Sequence, residues 1–426
     1  MGPPMKRPSM HHNVVYASLG GALFALTQWG IVVVVARLGS PVEVGVVTVV
    51  TALVTPIFLF AQMGMRDGHS VDDLDRFTRA DYLALRLVSS LMAVGIIGVL
   101  IFTYLVPSGV LVQATAAAFA LVKLFGAQTN MNHGIFQRAE RLDFVAISMI
   151  SRGLLGLLAF AVCYWWTRSL VLAFLAEALA WWLCQWAVDR RLLQRLNAHV
   201  PMREVLAVSP QRMLQLARWM FPLGLAIFLM AASASVPRLV LERHVELALV
   251  GIFGAIAYVN VALNTVSGAI GTAAAARLRR LYRQGARRRF LRLSVQLTLL
   301  SAALGGALWM VAFLAGDIIL QLLYGAEYAH RELFQIAIFA AALHITASPL
   351  QFALTAGQAF WRRMSNNSLT FLVAIAASLL LIPSLGVIGA AWALVVLSAT
   401  NLLLTLIAFT QVLARIPSAS DPSETP

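Results

Sequence analysis

Long apolar stretches, separated by short polar turns, recur along the whole chain. Most are about twenty residues long, the length that an α-helix needs to cross the hydrocarbon core of a bilayer. The apolar runs are continuous and do not alternate, which excludes a membrane-spanning β-barrel. The pattern predicts twelve transmembrane helices, at 14–36, 42–64, 82–105, 109–130, 143–166, 169–188, 217–238, 247–274, 293–315, 333–356, 366–384 and 387–411.

The polar connections divide the predicted helices into two groups of six. The longest connection, 189–216, predicts a cytoplasmic linker between an N-terminal bundle over 14–188 and a C-terminal bundle over 217–411. The segment 1–13 is short and basic, and we expect an uncleaved first helix after it because no small-residue cleavage site ends that helix. The segment 412–426 is predicted to be a disordered cytoplasmic tail.

The composition fits a polytopic membrane protein. The chain of 426 residues is 60% hydrophobic and 12% charged, with a mean hydropathy of +0.81. A soluble protein is about half apolar and about one quarter charged. This chain therefore lacks the polar residues that two or three soluble domains would need at their surfaces.

The basic residues predict the orientation of the helices. Of the 32 Lys and Arg residues, 25 fall on the side of the even-numbered loops and the termini, and 5 fall on the other side. Because Lys and Arg concentrate in cytoplasmic loops, both termini are predicted to be cytoplasmic. Lys123 and Arg152 lie within predicted helices and make up the 32.

One basic run, "ARLRRLYRQGARRRFLRL" at 276–293, contains eight arginines. In a soluble protein such a run suggests a nucleic-acid partner. Here it falls in the predicted cytoplasmic connection between helices 8 and 9. It is therefore interpreted as a topology determinant that contacts anionic lipid headgroups, and no nucleic-acid partner is expected.

An enzymatic alternative depends on the acidic residues Asp72, Asp73 and Asp75 in "HSVDDLDRF". Membrane prenyltransferases bind Mg²⁺ and pyrophosphate with two such clusters on facing helices, because a hard cation needs several carboxylate oxygens. The chain has one cluster, interleaved with arginines, which favours a solvated loop. It has no P-loop, no nucleophile elbow and no His/Cys metal spacing, and the outer loops are short. We expect no enzyme activity, no metal and no cofactor.

Several stretches carry a resemblance to a known family. They are "ARLGSPVEVGVVTVVTALVTPIFLFAQMGMR" (36–66), "SVPRLVLERHVELALVGIFGAIAYV" (235–259), "LLYGAEYAHRELFQI" (322–336) and "IPSLGVIGAAWALVVLS" (382–398). Their order and spacing resemble the O-antigen (Wzx-type) oligosaccharide-lipid flippases of the multidrug/oligosaccharidyl-lipid/polysaccharide (MOP) exporter superfamily. One departure is that Pro237 stands where many such exporters have an Asp before the Arg of helix 7.

The resemblance implies an all-α, MATE-like fold with two six-helix bundles around a central cavity. It also implies a flippase of the bacterial inner membrane that moves undecaprenyl-pyrophosphate-linked oligosaccharides by alternating access for surface polysaccharide synthesis. The implied partners are that lipid-linked oligosaccharide and membrane lipids, with a polysaccharide polymerase and export machinery as further candidates. A multidrug or cation exporter of the same fold, and a membrane prenyl- or glycosyltransferase, are the alternatives.

A weak internal repeat agrees with a two-bundle fold. The stretches around Arg37 and Arg238 both run helix, Arg, Leu, short turn, Gly, helix, and the two arginines are 201 residues apart. Repeats of this kind underlie alternating access in many transporters.

Charged residues within the predicted spans are the candidate substrate-binding groups. An ionised group inside a membrane normally faces a cavity or a partner, because its burial in lipid is unfavourable. Arg152 and Lys123 are the first candidates, since an anionic pyrophosphate suits Arg and Lys. The alternative role of Arg152 is an ion pair with Glu177 that joins two helices. Arg37 and Arg238 are candidate gates or outer contacts, with extension of the side chain to the interface as the alternative.

Other polar residues in the spans have candidate roles of their own. Glu177 and His344 are candidates for coupling transport to protons. Four amides are candidates for contacting sugar hydroxyls, with interhelical hydrogen bonding as the alternative: Gln28, Asn130, Asn260 and Asn264. Four tryptophans are assigned to interfacial aromatic belts: Trp165, Trp166, Trp181 and Trp182.

Overall fold

The computed structural model describes residues 10–71, 76–356, 360–414 and 416, and in these ranges all regular secondary structure is helical. A π-helical turn, Gln185–Asp189, joins α7 to α8, and a 3₁₀ turn, Ala326–Tyr328, precedes α13. The α-helices are α1 (Met10–Leu38), α2 (Pro41–Gln62), α3 (Met65–Val71), α4 (Arg79–Thr103), α5 (Val110–Arg138), α6 (Leu142–Thr167), α7 (Leu170–Cys184), α8 (Arg190–Arg195), α9 (Met202–Leu206), α10 (Pro210–Glu242), α11 (Leu247–Arg283), α12 (Arg287–Leu323), α13 (Arg331–Ala356) and α14 (Phe360–Ala414).

The described residues contain 10 helical segments that are long and apolar enough to cross a membrane, and α11 adds a shorter apolar stretch, Leu247–Val259. One of the ten, Arg362–Ala414, is two helices in sequence, because Gly386 interrupts α14 with φ 54° and ψ −126°. This break lies between the predicted eleventh and twelfth helices. The prediction of an all-α polytopic membrane protein with about twelve transmembrane helices is confirmed.

Local sequence signals explain where several helices begin. Ser40 caps α2: its Oγ accepts the Glu43 backbone N–H at 3.4 Å, and the Glu43 carboxylate accepts the Ser40 N–H at 3.0 Å. Thr78 and Asp81 form the same reciprocal capping box at the start of α4. Each box satisfies backbone N–H groups that have no partner inside the helix.

The chain divides into two compact units, Met1–Ser235 and Val236–Pro426. The division falls inside α10, whereas the sequence predicts a linker at 189–216. In the N-terminal unit α5 is central and contacts α2, α3, α4, α6 and α7, while α1 packs on α6. The α1–α6 approach is close, because a Cβ on Gly20 would lie 2.7 Å from the Ala146 Cα. Small residues permit such approaches in membrane bundles.

In the C-terminal unit α13 is the central helix and contacts α11, α12 and α14. The buried cluster around Leu278, Phe290, Leu354 and Phe409 joins the ends of α11, α12, α13 and α14. The eight arginines of 276–293 are all exposed around this cluster, and α11 and α12 extend through most of the run. The connection between the two helices is therefore only 284–286, shorter than predicted.

Candidate functional site

Four predicted site residues come together in the N-terminal unit, each on a different helix. Gln28 is on α1, Lys123 on α5, Arg152 on α6 and Glu177 on α7. We call this group, with two further residues, the N-terminal polar cluster: Gln28, Lys123, Asn132, Arg152, Glu177 and Asp189. Its members are linked by hydrogen bonds or electrostatic interactions.

Arg152 is buried, with 6% of its surface exposed. One guanidinium nitrogen donates a long hydrogen bond of 3.4 Å to the Gly126 carbonyl oxygen of α5. The guanidinium carbon lies 4.6 Å from the Phe24 ring centroid and 4.5 Å from the Trp181 ring centroid. Two cation–π contacts thus compensate part of the desolvation of Arg152. Because its Nε has no hydrogen-bond partner among the described residues, the guanidinium keeps a free donor.

Glu177 is 1% exposed and faces the cationic part of the cluster. Its electrostatic neighbours are Lys123, Gln28 and Arg152. Neither carboxylate oxygen has a hydrogen-bond partner among the described residues. Arg152 and Glu177 therefore interact over a distance and do not form the direct ion pair that was the alternative role of Arg152. The Lys123 ammonium lies 4.8 Å from the Phe119 ring centroid.

Asp189 is a member of the cluster that the sequence does not reveal. It ends the π-helical turn Gln185–Asp189 and is fully buried. Its Oδ2 accepts a hydrogen bond of 3.2 Å from the Asn132 side-chain nitrogen, and it interacts electrostatically with Arg152. The sequence predicts a linker from 189 onward, so Asp189 is predicted to be solvated. The extra residue of a π-turn changes the direction of side chains, and such turns are frequent at functional sites.

A second polar layer lies beside the cluster on α5. His133 Nε2 is 2.9 Å from the Ser148 Oγ on α6. Arg66 of α3 donates a hydrogen bond of 3.2 Å from its Nε to Gln137. Both His133 and Arg66 interact electrostatically with each other and with Arg152. The helix α5 therefore presents polar groups inward over several turns.

Arg86 is a charged residue of the predicted third helix that the sequence analysis does not single out as a candidate. It lies in α4 and is 0% exposed. All three of its guanidinium nitrogens lack a hydrogen-bond partner among the described residues. Its neighbours along the helix, Tyr82 and Leu85, belong to a buried apolar cluster. Arg86 is thus a buried cation for which the described residues supply no counter-charge.

The remaining predicted residues occupy separate places. Arg37 is exposed in the last turn of α1, and Asn130 is half-buried on α5, two turns beyond Lys123. In the C-terminal unit, Arg238 is half-buried in α10 and interacts with Tyr258. His344 is half-buried in α13. The side chains of two further candidates, and one acidic cluster, lie outside the described residues: Asn260, Asn264, and Asp72, Asp73 and Asp75.

Trp181 is wrongly assigned to an aromatic belt by the sequence interpretation. It is 3% exposed and packs against Arg152 and Phe24, with ring centroids of Trp181 and Phe24 separated by 6.0 Å. The other three tryptophans are exposed, as expected at a lipid-facing surface: Trp165, Trp166 and Trp182.

The cluster is rich in nitrogen donors and poor in metal ligands. Within the described ranges no group of three His, Cys, Asp or Glu residues is placed to hold a metal ion. Arg152 and Lys123 supply the charged nitrogen donors of the cluster, and Glu177 and Asp189 supply its two carboxylates.

Solved structures define the class of the fold. A multidrug resistance MATE transporter of the MOP superfamily, in an inward-facing conformation, superimposes with a TM-score of 0.63 at 13% identity, covering 92% of this chain and 94% of the other. A MATE transporter of Vibrio cholerae gives 0.65 at 10% identity, with coverages of 95% and 96%. A eukaryotic MATE transporter gives 0.64 at 12% identity, with coverages of 96% and 99%. The chain is therefore a multi-pass membrane protein with the fold of the MATE transporters.

Sequence comparison adds a relative from polysaccharide synthesis. The chain is 26% identical over 391 residues to the capsular polysaccharide biosynthesis protein CapF of Staphylococcus aureus, covering 90% of this chain and 94% of that protein. No family model matches the chain. The resemblance to the polysaccharide branch of the MOP superfamily, predicted from the sequence, is confirmed.

Proposed function

We propose that this protein is a flippase that moves undecaprenyl-pyrophosphate-linked oligosaccharides across the bacterial inner membrane by alternating access. The product serves surface polysaccharide synthesis. Similarity to CapF over nearly the whole chain supports the polysaccharide role, and the MATE fold supports transport. The observation that carries the proposal is that Arg152 and Lys123 come together inside the N-terminal unit, where the Arg152 Nε has no hydrogen-bond partner among the described residues.

The charges of the cluster favour an anionic substrate. Lys123 and Arg152 have Glu177 and Asp189 as electrostatic neighbours, and Arg86 is a further buried cation for which the described residues supply no counter-charge. A pyrophosphate would supply oxygens for the unused donor of Arg152 and for the Lys123 ammonium.

The predicted roles follow from this assignment. Arg152 and Lys123 bind the pyrophosphate, and Gln28 and Asn130 contact sugar hydroxyls, as do Asn260 and Asn264. Arg37 and Arg238 act as gates or outer contacts. Glu177 and His344 couple transport to protons. The burial of Arg152 requires a conformational change before substrate reaches it, and alternating access provides one.

The test is mass spectrometry of lipid extracts from cells that lack the gene. Complementation uses the wild type, Arg152→Ala, and Arg218→Ala as a control, because Arg218 is an exposed arginine on α10. We expect complete lipid-linked oligosaccharide to accumulate on the inner leaflet, and the wild type and Arg218→Ala to clear it while Arg152→Ala does not. A carrier that stops at an unfinished sugar unit would instead place the protein before export and favour a transferase.

The topology belongs to the same proposal. The distribution of Lys and Arg supports cytoplasmic termini. Fusion of green fluorescent protein to the C-terminus should give fluorescent cells, because this reporter folds in the cytoplasm. A fusion that is dark, although full-length protein is present, would reverse the orientation and the predicted direction of transport.

A further inference from the structure

We propose that the N-terminal unit binds an anionic phospholipid of the surrounding membrane in a groove along α5, between α4 and α7. The helix α5 contacts both α4 and α7. Two cavities of about 450 and about 460 Å³ lie along it, one at each end. We call the two cavities together the lipid groove. The polar end includes Gln128, Arg190 and His199, and the apolar end includes Gly98 and Ala118.

The two cavities follow one another along the same helix faces. On α4, Leu87 lines the polar end, and Val94, Gly98 and Ile101 line the apolar end. Spacings of three, four and seven residues place these side chains on one face. On α5 the apolar end stops at Leu121 and the polar end begins four residues later, which is a separation of about 6 Å along the axis. The two cavities therefore lie in succession along α5 and, on α4, are separated by the seven residues from Leu87 to Val94.

The polar end is built to receive an acceptor of hydrogen bonds. The Gln128 side-chain nitrogen is buried and has no hydrogen-bond partner among the described residues. Arg190 and His199 line the same cavity and are exposed at its mouth, and the Arg190 guanidinium lies 6.0 Å from the Trp186 ring centroid. A buried donor without an acceptor is unfavourable, and a phosphate oxygen would satisfy it.

The charge around this end selects an anion. From 190 to 205 the chain carries four arginines and a single acidic residue, Glu204, which is exposed on α9. The nearby carboxylate of Asp189 is buried and accepts a hydrogen bond from Asn132. A phosphodiester with one negative charge matches one guanidinium and one imidazole in the cavity, and anionic headgroups gather at such basic surfaces.

The apolar end fits a hydrocarbon chain. All of its lining residues are apolar, and many are small, including Gly98, Ala114, Ala117 and Ala118. Small side chains leave space for an acyl chain, which would contact only apolar groups there. A molecule with a singly charged phosphate head and an apolar chain is a membrane phospholipid.

Native mass spectrometry of the purified full-length protein in detergent tests the head end. The probes are phosphatidylglycerol, phosphatidylethanolamine and undecaprenyl phosphate, each titrated alone and in competition. We expect phosphatidylglycerol to bind, and Arg190→Ala combined with His199→Ala to weaken its binding about tenfold, the loss of one charge-assisted contact. Arg191→Ala is the control, since Arg191 is exposed and does not line the groove.

A second pair of variants tests the apolar end without removing charge. A Cβ on Gly98 or on Gly95 meets nothing within 4 Å, but only Gly98 lines the groove. Gly98→Leu should therefore fill the groove and weaken phosphatidylglycerol binding about tenfold, while Gly95→Leu leaves it unchanged. Both changes remove a glycine from a helix, so neither should impair folding.

Three results would overturn this proposal. They are equal binding of phosphatidylethanolamine, preferential binding of undecaprenyl phosphate at the same residues, and phosphatidylglycerol binding that neither the head-end double variant nor Gly98→Leu changes. The assay follows bound lipid and not transport, so its failure leaves the flippase proposal intact.

Discussion

The guanidinium carbon of Arg152 lies 4.5 Å from the ring centroid of Trp181, and two glycines make this contact possible. A Cβ on Gly126 of α5 would lie 2.6 Å from the Trp181 ring, and one on Gly156 of α6 would lie 2.4 Å from its Nε1. The indole therefore occupies a space that only glycine leaves open. Glycine at these two positions fixes Trp181, which in turn holds Arg152 inside the cluster.

We predict that Gly126→Ala displaces Trp181 and reduces both stability and transport. Overpacking of a core typically costs about 1–3 kcal/mol. The matched control is Gly306→Ala, because a Cβ there meets nothing within 4 Å. That change should stabilise α12 slightly, since Ala is favoured over Gly in helices. Thermal unfolding of the purified variants and clearance of lipid-linked oligosaccharide in cells measure the two effects. Wild-type stability of Gly126→Ala would show that Trp181 can move at no cost.

We predict that mutations of Lys123 and Glu177 have non-additive effects on stability. The two side chains have opposite charges and interact electrostatically inside the N-terminal polar cluster. Removing Glu177 leaves Lys123 without its opposite charge, and removing Lys123 leaves Glu177 with Arg152 alone, so each single change should cost stability and the loss of both charges should cost less than the sum. We therefore expect Glu177→Gln and Lys123→Met each to lower the unfolding temperature, and the double variant to recover most of the loss.

A double-mutant cycle on purified protein measures this coupling. Transport separates the two roles of Lys123. If Lys123 binds substrate, the double variant should be stable and inactive. If the pair is only structural, the double variant should regain transport with stability. Additive losses of stability would show that the two charges do not interact in the folded protein.

The sequence predicts the fold well because membrane spans depend on local composition. Every span from 14–36 to 387–411 corresponds to a helix, and the two last ones meet at Gly386 in α14. Continuous apolar runs require no knowledge of the tertiary structure. The C-terminal end of α11 and the N-terminal end of α12 are harder to predict, because these turns are rich in arginine while Leu278 and Phe290 are buried.

The candidate site is only partly predictable, because its remaining members depend on tertiary contacts. Lys123, Arg152 and Glu177 stand out as charges within apolar runs. Asp189 follows a span and resembles a loop residue, and only the π-helical turn directs it inward. Trp181 and the neighbouring Trp182 are indistinguishable in sequence, yet one is 3% exposed and the other is 46% exposed. The difference lies in which residue faces the glycines of α5 and α6.

We predict that replacing Arg86 has opposite effects on stability and on function. A buried cation without a hydrogen-bond partner is unfavourable. Arg86→Met keeps much of the apolar stem and removes the charge, so we expect it to raise the unfolding temperature. If Arg86 contacts the anionic substrate during transport, the same variant should clear lipid-linked oligosaccharide more slowly.

The control for Arg86 is Arg79→Met, because Arg79 is exposed at the start of the same helix. It should leave both the unfolding temperature and transport near their wild-type values. A lower unfolding temperature for Arg86→Met would mean that its charge is compensated in the folded protein. Transport that is unchanged in a more stable Arg86→Met would assign the residue no part in substrate movement.

We predict that replacing Asp81 and replacing its ion-pair partner Arg212 destabilise the protein to different extents. The Arg212 guanidinium of α10 donates a hydrogen bond of 2.9 Å to Asp81 Oδ2, and the same oxygen accepts the Thr78 backbone N–H at 2.8 Å. The Asp81 side chain is 5% exposed, and the Arg212 side chain is 46% exposed. Asp81→Ala removes the capping box together with the ion pair, so the loss of the cap alone should cost about 0.5–2 kcal/mol.

Arg212→Ala removes only the exposed partner, so it should destabilise the protein less than Asp81→Ala does. Its effect should shrink further as the salt concentration rises, because salt screens an exposed ion pair. Thermal unfolding of both variants at low and high ionic strength measures the difference. Thr78→Ala is a third comparison, because it removes half of the capping box and keeps the ion pair. Equal losses of stability for Asp81→Ala and Arg212→Ala would show that the ion pair, and not the capping box, stabilises the start of α4 at Arg79.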